Sequence, residues 1–264
     1  MRIALHQAGD TAMRAGQILL AEPDMEKLGL VGRPPRSGRD PRVVRADDLA
    51  DYDLLVTDAV DDLGDLVDRA LDAGISLCTW TEVAESEDGS TPWEHLADLD
   101  DDLRDLGLSL LSGSNLASGV APCLAAHETI HGGEVLDVTI AWTEPGSGLR
   151  RGEAIPFPEP VGARWARPRR SAAGHAYVAP LPGPWAAAMA RVTAATDDGV
   201  ITRIVGVADL AGHLEAIALA AGAVAAARGA YPSGVVTADE AAGSYLAAAL
   251  AAGLDIAAYV LHEA

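Results

Sequence analysis

Three observations predict an α/β chain in two parts. Short apolar runs alternate with helical periodicity over residues 2–111. A polar stretch of small residues, Ser112-Gly113-Ser114-Asn115-Leu116-Ala117-Ser118-Gly119, ends that rhythm, and looser, longer strand patterns follow it. Strands alternating with helices of this length imply a parallel sheet with right-handed crossovers. The first part is therefore read as a Rossmann-type parallel sheet. The second is read as an α+β domain on an open, mainly antiparallel sheet. The expected boundaries are 1–117 for a dinucleotide-binding domain, 118–233 for a substrate and oligomerisation domain, and 234–264 for C-terminal helices, whose return to the first domain is left open.

Each element has a local reason. Residues 2–6 form an apolar run closed by a Gly/Asp turn, hence a first strand. Residues 11–21 are helical until Pro23. Strands follow at 28–31 and 53–57, with a Pro- and Arg-rich loop at 34–45 between them. Leu63, Leu66, Val67, Ala70 and Leu71 recur at helical spacing up to Gly74. A strand at 75–79, an acidic surface helix at 92–106 and a strand at 108–111 complete the first part. Beyond Gly119 a helix at 120–131 ends at Gly132-Gly133, and a strand covers 135–142. Residues 145–174 form a long loop, a length that points to a lid or an interface arm. Strands at 187–196 and 201–207 flank an Asp197-Asp198-Gly199 turn. Helices fill 210–228 and 238–260.

Bulk composition excludes some functions. The chain has 264 residues, 49% of them hydrophobic but only 4% aromatic, so the core is built from small contacts. A net charge of −20 with Lys27 as the single lysine argues against nucleic acid or an anionic membrane surface as partner. The N-terminal residues carry no signal-peptide pattern. Glu215 interrupts the Ala-rich run at 214–227, which reads as a buried helix rather than a membrane span. Cys78 and Cys123 lie far apart without a CxxC and read as reduced thiols of a cytoplasmic protein.

Three patterns carry chemistry. Between the first strand and its helix stands Gln7-Ala8-Gly9-Asp10-Thr11-Ala12-Met13, where a dinucleotide fold places glycines so that backbone N–H groups meet the pyrophosphate. Only Gly9 remains. Asp10 would cap the helix and repel a phosphate. Two readings stand: a dinucleotide turn, or a nucleotide fold that has weakened or lost its cofactor. After the second strand come Gly32 and Arg33, then Arg36, Arg39, Arg42 and Arg45. Arginine here suits the 2′-phosphate of NADP; the alternative is a solvated loop. Third, His127-Glu128-Thr129-Ile130-His131 matches the HExxH of zinc hydrolases. The helix ends at once at Gly132-Gly133 and no third ligand follows at the usual spacing, so no metal is expected. The histidines suit a helix C-terminus.

Other motifs carry a resemblance over most of the chain. They are Asp53-Leu54-Leu55-Val56-Thr57-Asp58 followed by Ala73-Gly74-Ile75, then Cys78-Thr79-Trp80-Thr81-Glu82, and Gly113-Ser114-Asn115-Leu116-Ala117-Ser118-Gly119. Together with Ala221-Gly222-Ala223 and Gly234-Val235-Val236, this layout resembles the dihydrodipicolinate reductases, within the two-domain NAD(P)-dependent dehydrogenases. The third motif is similar to that family's Asn-Phe-Ser-x-Gly hinge at Asn115, Ser118 and Gly119. The second stands where the family has a Gly-Thr-Thr-Gly turn along the nicotinamide. The resemblance implies the fold, the cofactor class and a homo-oligomer built on the open sheet. It does not carry the substrate. The family's His-His-x-His-Lys cluster is absent from Val138-Thr139-Ile140-Ala141-Trp142-Thr143-Glu144, and its Pro-Ser-Gly-Thr loop is only echoed by Pro145-Gly146-Ser147-Gly148.

Hydride transfer needs a held nicotinamide, a proton donor or acceptor, and charge for the substrate. Thr79, Thr81 and Asn115 are candidates for the nicotinamide side. Glu144 is a candidate acid or base, or else a strand-end surface carboxylate, and His175 is a second proton donor. If the resemblance holds, Gly146, Ser147 and Gly148 make an anion cradle. Arg150, Arg151, Arg164 and Arg167 read either as carboxylate binders or as solvated charge. The leading expectation is an oxidoreductase using NADP, or alternatively NAD, on a small anionic metabolite, with no nucleic-acid or membrane partner. The alternatives are a non-catalytic ligand-binding relative and, third, a zinc hydrolase.

Overall fold

β1 (Arg2–His6) buries Ile3 and Leu5 on one face and Ala4 on the other, the mark of a strand covered on both sides. The chain continues through α1 (Asp10–Leu19), β2 (Lys27–Val31), β3 (Val43–Ala46), β4 (Leu54–Thr57), α2 (Leu63–Ala73), β5 (Ser76–Thr79), α3 (Leu96–Leu106) and β6 (Ser109–Ser112). The computed structural model describes residues 1–6, 9–32, 40–59, 63–83, 96–130, 133–145, 152–169, 174–197 and 199–263. These strands lie in the order β3-β2-β1-β4-β5-β6, every neighbour parallel. This is the doubly wound order, which reverses between β1 and β4. Residues 43–45, expected in a loop, belong to β3, which pairs with β2 from Leu28↔Val43 onward. Flanking Pro and Arg hide this edge strand, which buries only Val43.

A single π turn (Leu116–Val120) leads into α4 (Ala121–Thr129). The second part then runs β7 (Glu134–Glu144), β8 (Glu153–Pro156), β9 (Ala163–Arg169), β10 (His175–Pro180), β11 (Trp185–Thr196), β12 (Gly199–Leu210), α5 (Ala211–Ala227), β13 (Gly234–Thr237), α6 (Ala242–Ala251) and β14 (Ala257–Glu263). The sheet order is β14-β12-β11-β7-β10-β9-β8. Only β10 and β7 are parallel in it; the other pairings are antiparallel, as expected of an open, mainly antiparallel sheet. β13 leaves this sheet and extends the first one beside β6, from Gly234↔Ser109 to Thr237↔Ser112.

Two expectations are corrected here. The loop expected at 145–174 contains β8 and β9, whose inward residues Ile155 and Ala166 are separated by arginines and prolines that mask the period of two. The helix expected at 238–260 is shorter. α6 stops before Gly253, which takes a left-handed φ of 101°, and the chain then extends as β14 along β12.

The two sheets share one helical layer. α5 packs beside α1 and touches β4, β5 and β6 of the first sheet and β11 and β12 of the second. A continuous core therefore runs from Ile3 and Leu5 through Ile217 and Ala221 to Ala188 and Val205. α2 and α3 cover the other face of the first sheet, around Leu55, Leu66 and Leu103. Phe157 and Val161 cover the outer face of the second, around Ala141 and Met189. Cys78 and Cys123 are buried and unpaired, and burial pushes the Cys78 thiol up to about 12, so neither is reactive. Among the described residues, no helix is long and apolar enough to cross a membrane.

Alanine in this layer sets how closely the sheets approach. A methyl group at Gly222 of α5 would overlap the Ser114 hydroxyl and come 2.8 Å from Leu111. Gly222→Ala is expected to destabilise the protein by roughly 1–3 kcal/mol in urea denaturation. Gly243→Ala, in exposed space at the start of α6, is expected to stabilise it by roughly 0.5 kcal/mol.

Candidate active site

At the strand-order reversal the first turn of α1 is already occupied by an anion. Gly9 caps the helix in extended conformation and supplies no side chain, and Asp10 adds a negative charge to the first turn. The Asp58 carboxylate, just beyond β4, fills the gap. Its Oδ1 accepts from the Gly9 N–H at 3.0 Å and its Oδ2 from the Ala12 N–H at 2.9 Å. A Cβ at Gly9 would stand 2.9 Å from Asp58 Oδ2, so the lone glycine of the expected phosphate turn admits a carboxylate here. Thr11 and Met13 lie on the same first turns, Met13 exposed. As they stand, these residues do not fit a bound diphosphate. Gln7, Ala8, Arg33 and Arg36 lie outside the described residues, and Gly32, with φ of 75°, faces open space.

The hinge is held by buried polar contacts. Thr79 is fully buried and donates to the Thr81 and Leu111 carbonyls at 2.8 and 3.3 Å. Thr81 donates to the Ala59 carbonyl at 2.8 Å. Asn115 caps the π turn, accepting from Ala117 and Ser118 N–H at 2.8 Å each, and donates to the Trp80 carbonyl at 2.8 Å. All three candidates for the nicotinamide side thus spend polar groups on the chain's own loops. Ser114 and Tyr245 both donate to the Ala218 carbonyl of α5, at 2.8 and 3.0 Å.

Glu215 of α5 joins both parts. Its Oε2 accepts from the Trp80 indole at 2.8 Å and from the Leu116 N–H at 3.2 Å. Burial pushes its carboxyl above the usual range, and the two donated bonds offset this in part. In the sequence Glu215 stands out as a charge in an apolar run, and that isolation is its signal.

Beside this hinge opens a cleft of about 740 Å³. Glu82 and Ser118 form one wall, with the Ser118 hydroxyl donating to Glu82 Oε2 at 2.9 Å. Trp142 and Glu144 of β7 and Arg169 of β9 form the other, and Asp239 also lines the cleft. Glu144 holds two arginines. Arg167 donates to its Oε1 at 2.9 Å and Arg169 to its Oε2 at 3.3 Å. The register Arg169↔Ala176 and Arg167↔Val178 places both on the Glu144 face of the sheet. Arg164 shares the opposite face with Ala166, and among the described residues its Nε is buried without a partner. Glu144 thus joins two guanidiniums by charge-assisted hydrogen bonds.

His175 lines the cleft but does not meet Glu144. It pairs in register with Thr139, and its Nε2 lies 3.7 Å from Asp137 Oδ1 on the other face. About five residues of β7, roughly 16 Å, separate the two positions. Gly146, Ser147, Gly148, Arg150 and Arg151 lie outside the described residues, as does His131. Glu128 of the HExxH pattern lies 4.0 Å from Arg203 in a largely buried ion pair. Among the described residues, no group of three His, Cys, Asp or Glu is placed to hold a metal.

No protein family and no curated protein matches the sequence. Solved structures match in fold. A diaminopimelate dehydrogenase of C. glutamicum in complex with DAP is similar at TM-score 0.57 and 15% identity, over 93% of this chain and 95% of that one. The homospermidine synthase of Legionella pneumophila in complex with NAD is similar at TM-score 0.55 and 7% identity, over 98% and 91%. An engineered D-amino acid dehydrogenase bound to NADP+ is similar at 0.54 and 14%, over 93% and 95%. At these identities the likeness is one of fold, that of the two-domain Rossmann dehydrogenases.

Glu215 gives a test of the hinge. A folded-state pKa raised above the unfolded value means that this group's contribution to stability falls as pH rises through its titration range. Glu215→Gln, which keeps an acceptor for both donors, is therefore expected to melt above the wild type at pH 8, the gap closing towards pH 5. Glu215→Leu leaves two donors unpaired and is expected to cost about 2–3 kcal/mol in chemical denaturation at pH 7.

Proposed function

We propose that the chain is an oxidoreductase of the two-domain dehydrogenase architecture, acting with a nicotinamide dinucleotide on a small anionic molecule held in the cleft. The observation that carries this reading is the placement of the arginine pair. Arg169 lines the cleft beside the hinge together with Glu144, and Arg167 shares that carboxylate; in doubly wound sheets ligands bind outside the carboxyl ends of the strands. The pair bears one positive charge in excess of Glu144. It keeps guanidinium N–H groups beyond the two given to that carboxylate, a match for a ligand carboxylate. Arg33 and Arg36 support NADP, with NAD the alternative. The fold shared with proteins solved with NADP+ or NAD supports the cofactor class. A cytoplasmic homo-oligomer belongs to the same reading, and a monomer mass in light scattering would speak against the assembly.

A second reading, a ligand-binding relative that does without the dinucleotide, is favoured by Asp58 at the start of α1. Calorimetric titration with NADPH and then NADH separates the two: micromolar binding of either supports the oxidoreductase, and none at millimolar concentration supports the relative. The cleft has its own test. A panel of small carboxylates is screened by thermal shift, and Arg169→Ala is expected to weaken the best of them by 10- to 100-fold. Unchanged affinity would remove the anion-binding role.

A further inference from the structure

We infer that Asp58 is an internal competitor for the diphosphate position at the start of α1, so that any dinucleotide bound by the first sheet must displace it. The inference rests on the oxidoreductase reading and names what regulates access to that same site.

The geometry is that of a substituted anion. Two oxygens of one carboxylate take two N–H groups of one helix start, Gly9 at 3.0 Å and Ala12 at 2.9 Å, which is how a phosphate engages such a turn. The position lies at the reversal of strand order, where β4 pairs with β1 up to His6↔Thr57, and Asp58 is the next residue. The segment bearing Asp58 is held on both sides. Thr57 Oγ1 accepts from the Ala59 N–H at 3.0 Å and lies 3.1 Å from His6 Nδ1, and the Ala59 carbonyl accepts from Thr81 at 2.8 Å. Gly9, lacking a Cβ, lets the carboxylate close in. Asp10 on the same turn raises the negative charge that an entering diphosphate meets. Asp58 holds the Gly9 and Ala12 N–H groups, and a second anion cannot take the same two.

The test uses the full chain as wild type, Asp58→Asn and Asp58→Ala. NADPH, NADH and ADP-ribose, which carries the diphosphate without the nicotinamide, are titrated by calorimetry. Asp58→Ala is expected to bind ADP-ribose and at least one dinucleotide tenfold or more tightly than the wild type, with Asp58→Asn between. Melting curves establish that each variant folds. Asp58→Asn, which keeps one acceptor for the helix start, carries the test if Asp58→Ala does not fold. Wild-type binding of NADPH or NADH that neither variant tightens overturns the competitor role and leaves the oxidoreductase reading standing. A gain for ADP-ribose without binding of either dinucleotide supports the competitor role and removes the oxidoreductase reading. No binding of any probe to any folded variant overturns both.

Discussion

The structure depends on one buried helix. α5 is enclosed by two sheets and two helices, and eleven of its residues, from Leu214 to Ala225, are buried. Such a helix cannot be amphipathic; it must be small and apolar all round. Its alanines and Gly222 let the hinge approach closely enough for Ser114 and Tyr245 to reach the Ala218 carbonyl. Glu215 is the exception that fixes the hinge, because a buried carboxylate is tolerated only where donors meet it, and Trp80 and Leu116 meet it there. Opening the two parts would expose both the alanine layer and these bonds.

Above this frame, two of the chain's own carboxylates gather donors from distant parts of the sequence. Asp58 satisfies the start of α1, and Glu144 gathers Arg167 and Arg169. The two cases differ in charge. At α1 a carboxylate meets the backbone N–H groups of Gly9 and Ala12, and Asp10 adds a second negative charge. In the cleft Glu144 meets two guanidiniums, and Glu82 and Asp239 line the same cleft.

Much of the fold was legible in the sequence. β1, β4 and β5 are apolar runs bounded by turn residues, and Leu63, Leu66, Val67 and Ala70 mark the buried side of α2. Some strands at and next to the sheet edges were not. β3, β8 and β9 carry Arg or Pro on exposed positions, and β14 follows an Ala-rich helix whose composition runs into it. The site was less legible than the fold because its geometry is tertiary. Asp58 reaches Gly9 across 49 positions of sequence, and Glu215 reaches Leu116 across 99. Glu144 and His175 both line the cleft, yet the period of two along β7 and β10 puts their side chains on opposite faces. No local pattern reveals such relations.

The most direct test of the account is amide hydrogen exchange at Gly9 and Ala12, followed by NMR in the wild type and Asp58→Ala without ligand. The account predicts that both amides exchange slowly in the wild type and that both lose protection in the variant, while β1 amides stay protected. Fast exchange at Gly9 and Ala12 in the wild type would contradict it, because the helix start would then be open to solvent and to any anion.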